Sequence, residues 1–133
     1  MSELHPQLQQ DCHHLAALPS GSLLLMRNAL LHWFILVPDT RAQDLLDLPA
    51  VQLAAVMADC QRVSALLKGP LGYPKVNFAG LGNLVPQMHL HILGRREGDP
   101  CWPQPVWGNL AQGSDWNPQQ LAELQVVLRE SGL

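Results

Sequence analysis

Charge is scarce in this chain. Asp, Glu, Lys and Arg make up 14% of its 133 residues, where soluble domains usually carry about 25%. A surface so thinly charged predicts that part of it is covered, most simply by a second copy of the chain. The net charge of −3 excludes the basic footprint that a duplex nucleic acid needs, although one small nucleotide remains compatible with it. Cys12, Cys60 and Cys101 are odd in number, scattered, and form no CxxC pair. That argues against a disulfide framework or a zinc cluster and for reduced thiols. No basic segment followed by an apolar stretch opens the chain, and no run approaches the roughly 18 apolar residues of a membrane span. The expected setting is the cytoplasm, with no membrane partner. What is plentiful is apolar surface, 47% of residues, enough to build one domain over residues 1–133 without disulfides.

Periodicity divides the chain. Leu4, Leu8, Cys12 and Leu15 form one stripe and predict a helix over residues 4–18, ended by Pro19-Ser20-Gly21. Leu23-Leu24-Leu25-Met26 and His32-Trp33-Phe34-Ile35-Leu36-Val37 predict an antiparallel hairpin, with Pro38 as its stop. After a polar connection, Asp47 is placed to cap a helix running through Pro49 to about Lys68, with Gly69-Pro70 beyond its end. That helix is apolar around much of its girth, which predicts burial on more than one side. Residues 75–79 predict a third strand, Gly80-Leu81-Gly82-Asn83 a turn, and residues 85–93 a further strand. An irregular Trp- and Pro-rich segment follows over residues 99–108. Asn117, Pro118 and Gln120 stand at the N-cap, N1 and N3 of a final helix that Gly132 ends. Helix, hairpin, helix, hairpin, tail and helix in that order predict an α+β fold on an antiparallel sheet.

The most informative stretch is Gln87-Met88-His89-Leu90-His91-Ile92-Leu93. Alternation predicts that Gln87, His89 and His91 share one face of a strand, with Met88, Leu90 and Ile92 on the other. Two neighbouring imidazoles allow three chemistries. They can be a neutral, hydrogen-bonded structural pair. They can be two ligands of a metal, although zinc wants three or four and no Asp or Glu lies near on that strand. Or one can attack an electrophile while the other holds the charge that develops. Gly80, Gly82 and Asn83 just before the pair favour the third, because glycines let a backbone approach a ligand and loop amides cradle phosphate oxygens.

This stretch resembles the His-φ-His-φ-His-φ-φ motif, φ being apolar, of the histidine triad (HIT) superfamily of nucleotide hydrolases and transferases. The resemblance extends to Lys75-Val76-Asn77, to Gly82-Asn83, and to the hairpin from Arg27-Asn28 through Val37-Pro38, so it covers about residues 22–94. Within the tail over residues 95–133, the segment Asp99 to Gly108 is similar to that of a bacterial subgroup described as diadenosine tetraphosphate hydrolase-like. The resemblance implies a HIT-like fold of about five strands, a long packed helix and terminal helices. It implies that His89 attacks the α-phosphorus of a nucleotide and forms a nucleotidyl-imidazole, and that His91 hydrogen-bonds the phosphoryl oxygens. The other nitrogen of His89 is then expected to donate to a backbone carbonyl. Asn28 matches the position that contacts the ribose, and Asn77, Gly82 and Asn83 match positions near the phosphates. No cofactor is required by this chemistry, magnesium would arrive with the nucleotide, and the partner is a second copy in a homodimer.

The chain departs from the pattern twice. Gln87 replaces the first histidine of the triad; an amide orients neighbours but cannot relay a proton near pH 7. Asp39-Thr40-Arg41 follows Pro38 where many members have a histidine. A catalytically weak nucleotide sensor is therefore the alternative to a hydrolase. Outside the motif, Trp102 and Trp107 are expected to pack over their own domain or a partner in preference to stacking on a base. Trp33 is expected in the core, and Arg95 and Arg96 at a solvated edge.

Overall fold

The computed structural model describes residues 3–133. Its elements are α1 (Pro6–Asp11), β1 (Cys12–Leu18), β2 (Gly21–Met26), β3 (Trp33–Pro38), a single 3-10 turn (Leu45–Asp47), α2 (Ala50–Lys68), β4 (Lys75–Ala79), β5 (Leu90–Arg95) and α3 (Pro118–Glu130). The strands form one antiparallel sheet in the order β1-β2-β3-β5-β4. This is the α+β arrangement expected from the sequence.

The first expectation to fail is the helix over residues 4–18. Pro6 starts a helix, and the His5 ring accepts a hydrogen bond from the Gln7 backbone N–H at 3.0 Å, but the helix stops at Asp11. From Cys12 the chain is a strand in which Cys12, Leu15 and Leu18 are buried. The register slips between His14 and Ala16. A bulge of this kind turns the two-residue period of a strand into a local spacing of three, and spacings of three and four are what a helix shows. The Leu15 carbonyl inside the bulge accepts from Gln125 Nε2 at 3.0 Å, so α3 supplies a partner that the slipped ladder cannot.

The hairpin of β2 and β3 and the strand β4 lie where the sequence placed them. The long helix keeps its expected length but not its cap. Asp47 falls in the 3-10 turn, and Pro49 precedes α2 without any side-chain cap. Nor is α2 buried all round. Val56, Cys60, Val63 and Leu67 form its inner stripe, while Val51, Ala54, Ala55 and Ala58 are exposed. By length and composition α2 could also cross a membrane, a test that core helices of globular domains pass as well. Here it packs across β3, β4 and β5. At the C-terminus the expected capping box is present: Gln120 N–H donates to Asn117 Oδ1 at 2.8 Å and Asn117 N–H to Gln120 Oε1 at 2.9 Å. Gly132, with φ 78°, follows the last turn.

Directly paired residues point to the same face of a sheet. His91 pairs with Ile35 and Ala79, and Leu93 with Trp33 and Asn77. One face therefore carries Trp33, Ile35, Asn77, His91 and Leu93, and the other carries Phe34, Leu36, Leu90 and Ile92. The Tyr73 ring, just beyond α2, sits where a side chain at Gly94 would be, on the second face. The Trp/Pro tail covers the first.

A buried acid ties α2 to the sheet. Asp59, 2% exposed, accepts from the Ser20 N–H at 2.8 Å and the Ser20 hydroxyl at 2.5 Å, with Arg62 at 3.4 Å from its other oxygen. Replacing Asp59 with Ala leaves these Ser20 donors without their buried acceptor. The unfolding free energy is expected to fall by about 1–3 kcal/mol, and a urea titration of the variant against the parent checks this.

Candidate active site

The connection between β4 and β5 brings Gly82, Asn83 and His89 up to His91. His91 is 5% exposed and fully paired. The Trp33 indole, which can only donate, gives its N–H to His91 Nδ1 at 3.0 Å. The proton of the neutral ring therefore sits on Nε2, which donates to the Leu81 carbonyl at 2.9 Å. Burial pushes the His91 pKa down to about 4; the bond to Leu81 opposes this and the neighbouring His89 adds to it. His91 is thus a neutral imidazole at pH 7. Trp107 stands edge-on to it and to Trp33, with ring centres 5.0 and 5.7 Å away.

His89 is held differently. Its Nδ1 lies 2.8 Å from the Gln87 carbonyl. A carbonyl only accepts, so Nδ1 carries the proton, as the sequence led one to expect. Its Nε2 makes no hydrogen bond. Among the described residues no fully buried side-chain nitrogen or oxygen lacks a partner, so this Nε2 opens to solvent. The two rings meet edge to face at 5.0 Å. Gly82 lies so close that a Cβ there would stand 2.9 Å from His89 Cε1 and 3.0 Å from the Val85 carbonyl. Only glycine lets the loop lie against this imidazole.

Two clefts flank His89. One, of about 420 Å³, has a wall made by Gln7, Leu8 and Asp11 of α1 and another made by Met26, Trp33, Ile35 and Trp107; His89, His91, Gly82 and Asn83 close it. The other, of about 530 Å³, is lined by Asp44, Asp47, Gly80, Gly82, Asn83, Gln87 and His89 among others. His89 forms part of both.

The structure thus brings together His89, His91, Gly82 and Asn83 from the sequence-based set. Gln87 joins them through its main-chain carbonyl, while the side chains of Gln87, Asn28 and Asn77 have partners elsewhere. Strand β5 begins only at Leu90, past Pro86, so Gln87 and His89 both precede it and of the three expected to share a strand face only His91 lies on one. The Gln87 side chain accepts from the His5 N–H at 2.8 Å and donates to the Glu3 carbonyl at 3.1 Å. Asn28 Oδ1 accepts from Leu30 N–H at 3.1 Å, and its Nδ2 donates to the Ala111 carbonyl at 2.9 Å. Asn77 accepts from Arg95 at 3.0 Å. Arg95 is not at a solvated edge; it is 1% exposed and paired with Asp99 at 2.8 Å. That pair holds the Asp99 carboxyl below its usual range, against the opposing pull of its burial. Trp33 is buried as expected, Trp107 packs on its own chain, and Trp102 remains partly exposed beside Arg95. The α1 wall was missed because residues 4–18 read as one helix. Its one early sign was Pro6, a helix-starting residue. Among the described residues no group of three or more His, Cys, Asp or Glu side chains converges to hold a metal.

The fold is an open antiparallel sheet with one long helix across it and a histidine pair at the start of β5. The chain belongs to the HIT domain family, whose model matches residues 7–98. It is similar to a histidine triad protein from Bradyrhizobium japonicum, 38% identical, with a TM-score of 0.90 over 97% of this chain and 96% of that one. A HIT protein from Sinorhizobium meliloti is 32% identical, TM-score 0.91, over 97% and 96% of the two chains. One from Marinobacter aquaeolei is 34% identical, TM-score 0.90, over 97% and 94%. A comparison with curated proteins found no match.

The buried imidazoles make stability depend on pH. Burial, aided by the charge of Arg96, also lowers the His32 pKa to about 4. The folded values lie below the ordinary 6.5, so the unfolded chain takes up protons first as pH falls. The stabilising preference for neutral rings is fully present above about pH 6.5 and is lost as pH drops toward 4. Melting temperatures are expected to be level above pH 7 and to decline steadily between 6.5 and 4. His91→Asn should lessen that decline, which melts of both proteins across this range will check.

Proposed function

We propose that the protein is a nucleotide hydrolase of the histidine triad type that uses His89 as nucleophile on a substrate such as a diadenosine polyphosphate. The observation that carries this reading is the unpaired Nε2 of His89 at the rim of two clefts, while Nδ1 is held by the Gln87 carbonyl. A neutral imidazole in that tautomer offers its lone pair at Nε2. Nε2 bonds to the α-phosphorus, and the bond to the leaving phosphate breaks with its electron pair on the departing oxygen. The nucleotidyl-imidazolium keeps its Nδ1–H on the Gln87 carbonyl, which favours the charge. Water then attacks phosphorus, the P–N bond returns its electrons to Nε2, and the water proton passes to solvent as nucleoside monophosphate leaves. His91 Nε2–H, turned from Leu81 to a phosphoryl oxygen, stabilises the growing charge.

In this reading the nucleoside occupies the cleft of Leu8, Met26 and Trp107, with the Asp11 carboxylate accepting from the ribose hydroxyls. Gly82 and Asn83 lie at the phosphates. Asn28 and Asn77 act from behind, through the tail and Arg95. The second cleft takes the other half of a dinucleotide, which favours the diadenosine tetraphosphate hydrolase-like subgroup. Asp44 and Asp47 line that cleft, so a polyphosphate would enter with magnesium bound. The exposed Leu46, Val51 and Leu84 and the open edge of β4 support a homodimer, and a cytoplasmic setting suits both substrate and free thiols.

A second reading, a nucleotide sensor, draws on Gln87, whose amide is engaged by the N-terminal segment, and on Asp39-Thr40-Arg41 in place of a relay histidine. Turnover of diadenosine tetraphosphate followed by mass detection separates the two. The hydrolase reading expects monophosphate from the parent and none from His89→Ala, with AMP binding retained in both. Equal turnover by the variant would remove His89 from the reaction, and binding without product in the parent would favour the sensor. Asp11→Ala is expected to raise KM about tenfold for ribonucleotides and to change little for 2′,3′-dideoxy analogues.

A further inference from the structure

Gln87 joins two parts of the site. Its main-chain carbonyl fixes the tautomer of His89 at 2.8 Å. Its side-chain Oε1 accepts from the His5 N–H at 2.8 Å, and Nε2 donates to the Glu3 carbonyl at 3.1 Å. His5 is the N-cap of α1, and α1 supplies Gln7, Leu8 and Asp11 to the wall of the cleft that holds both histidines. One residue thus links the orientation of His89 to the position of that wall.

We infer that Gln87 is a positioning residue, whose amide clamps the start of α1 and sets the width of the nucleoside cleft, and that it takes no part in proton transfer. This rests on the nucleotide-binding reading above and adds a specific role to it. The choice of residue follows from the partners. An extended segment presents an N–H and a C=O, and a primary amide matches them with one acceptor and one donor in a single plane. A carboxylate has acceptors only and would face the Glu3 carbonyl. An imidazole loses its acceptor once protonated.

The test compares the parent with Gln87→Ala, Gln87→Glu and Gln87→His in three readouts: AMP affinity by calorimetry, steady-state turnover, and amide hydrogen exchange over residues 5–11. Gln87→Ala is expected to raise the AMP Kd and KM about tenfold, as two neutral hydrogen bonds would, and to lower kcat less than about threefold, with its pH profile unmoved. Gln87→Glu keeps the bond to His5 and should fall between the two. Gln87→His, which restores the usual triad residue, should not raise kcat. Exchange over residues 5–11 should quicken in Gln87→Ala whether or not turnover is detected.

A loss in kcat of about 10²-fold at constant KM, a shifted pH profile, or a faster Gln87→His enzyme would overturn the inference in favour of proton handling. Unchanged exchange and unchanged AMP affinity in Gln87→Ala would overturn it outright. A parent that binds AMP without turning over substrate would instead defeat the hydrolase reading and leave the clamp standing.

Discussion

Two imidazoles lie side by side under cover, and a covered ring nitrogen must find a partner. That requirement organises the site. Four ring nitrogens are present. Trp33 and the Leu81 carbonyl satisfy the pair on His91, the Gln87 carbonyl satisfies one on His89, and a single nitrogen remains. Because indoles only donate and carbonyls only accept, the partners also dictate which nitrogen of each ring carries a proton: Nδ1 of His89 and Nε2 of His91. The unpartnered nitrogen, Nε2 of His89, belongs to the ring that lines both clefts.

The surrounding structure can be understood as support for this arrangement. β3 contributes Trp33 from directly beside the His91 strand, so the register of the sheet sets one hydrogen bond. The loop over residues 80–83 sets another through Leu81, and its glycine at 82 lets the backbone rest on His89. The tail returns across the same face, where Trp107 stands edge-on to His91 and the buried Arg95–Asp99 pair anchors the segment that carries it. A cation removed from water in this way stabilises little by itself. Its bonds to Asn77 and Asp99 hold the tail to β4 and β5.

Much of the fold was legible because its signals are local. Short apolar runs bounded by turn residues located β2 and β3, and the Asn117-Pro118 start with Gln120 located α3 through its cap chemistry. Local signals also misled. The bulge in β1 imitates a helical spacing, Asp47 resembled a cap but precedes the helix by a separate turn, and Pro86 shortened the histidine strand. In the site, His89, His91, Gly82 and Asn83 were legible since they are close in sequence. Gln7, Leu8, Asp11, Met26 and Trp107 come from distant segments, and no periodicity reports that α1 and the tail converge on one cleft. The partners of Gln87, Asn28 and Asn77 were hidden for the same reason: each bonds across the fold, to Glu3 and His5, to Ala111, and to Arg95.

The central claim concerns protons on two rings, and ring-nitrogen NMR of histidine-labelled protein at pH 7 reads them directly. The pairing predicts a proton on Nδ1 of His89, and His91 protonated on Nε2 and remaining neutral until the pH approaches about 4. A His89 whose Nδ1 carries no proton, or a His91 that titrates near the ordinary 6.5, would contradict it.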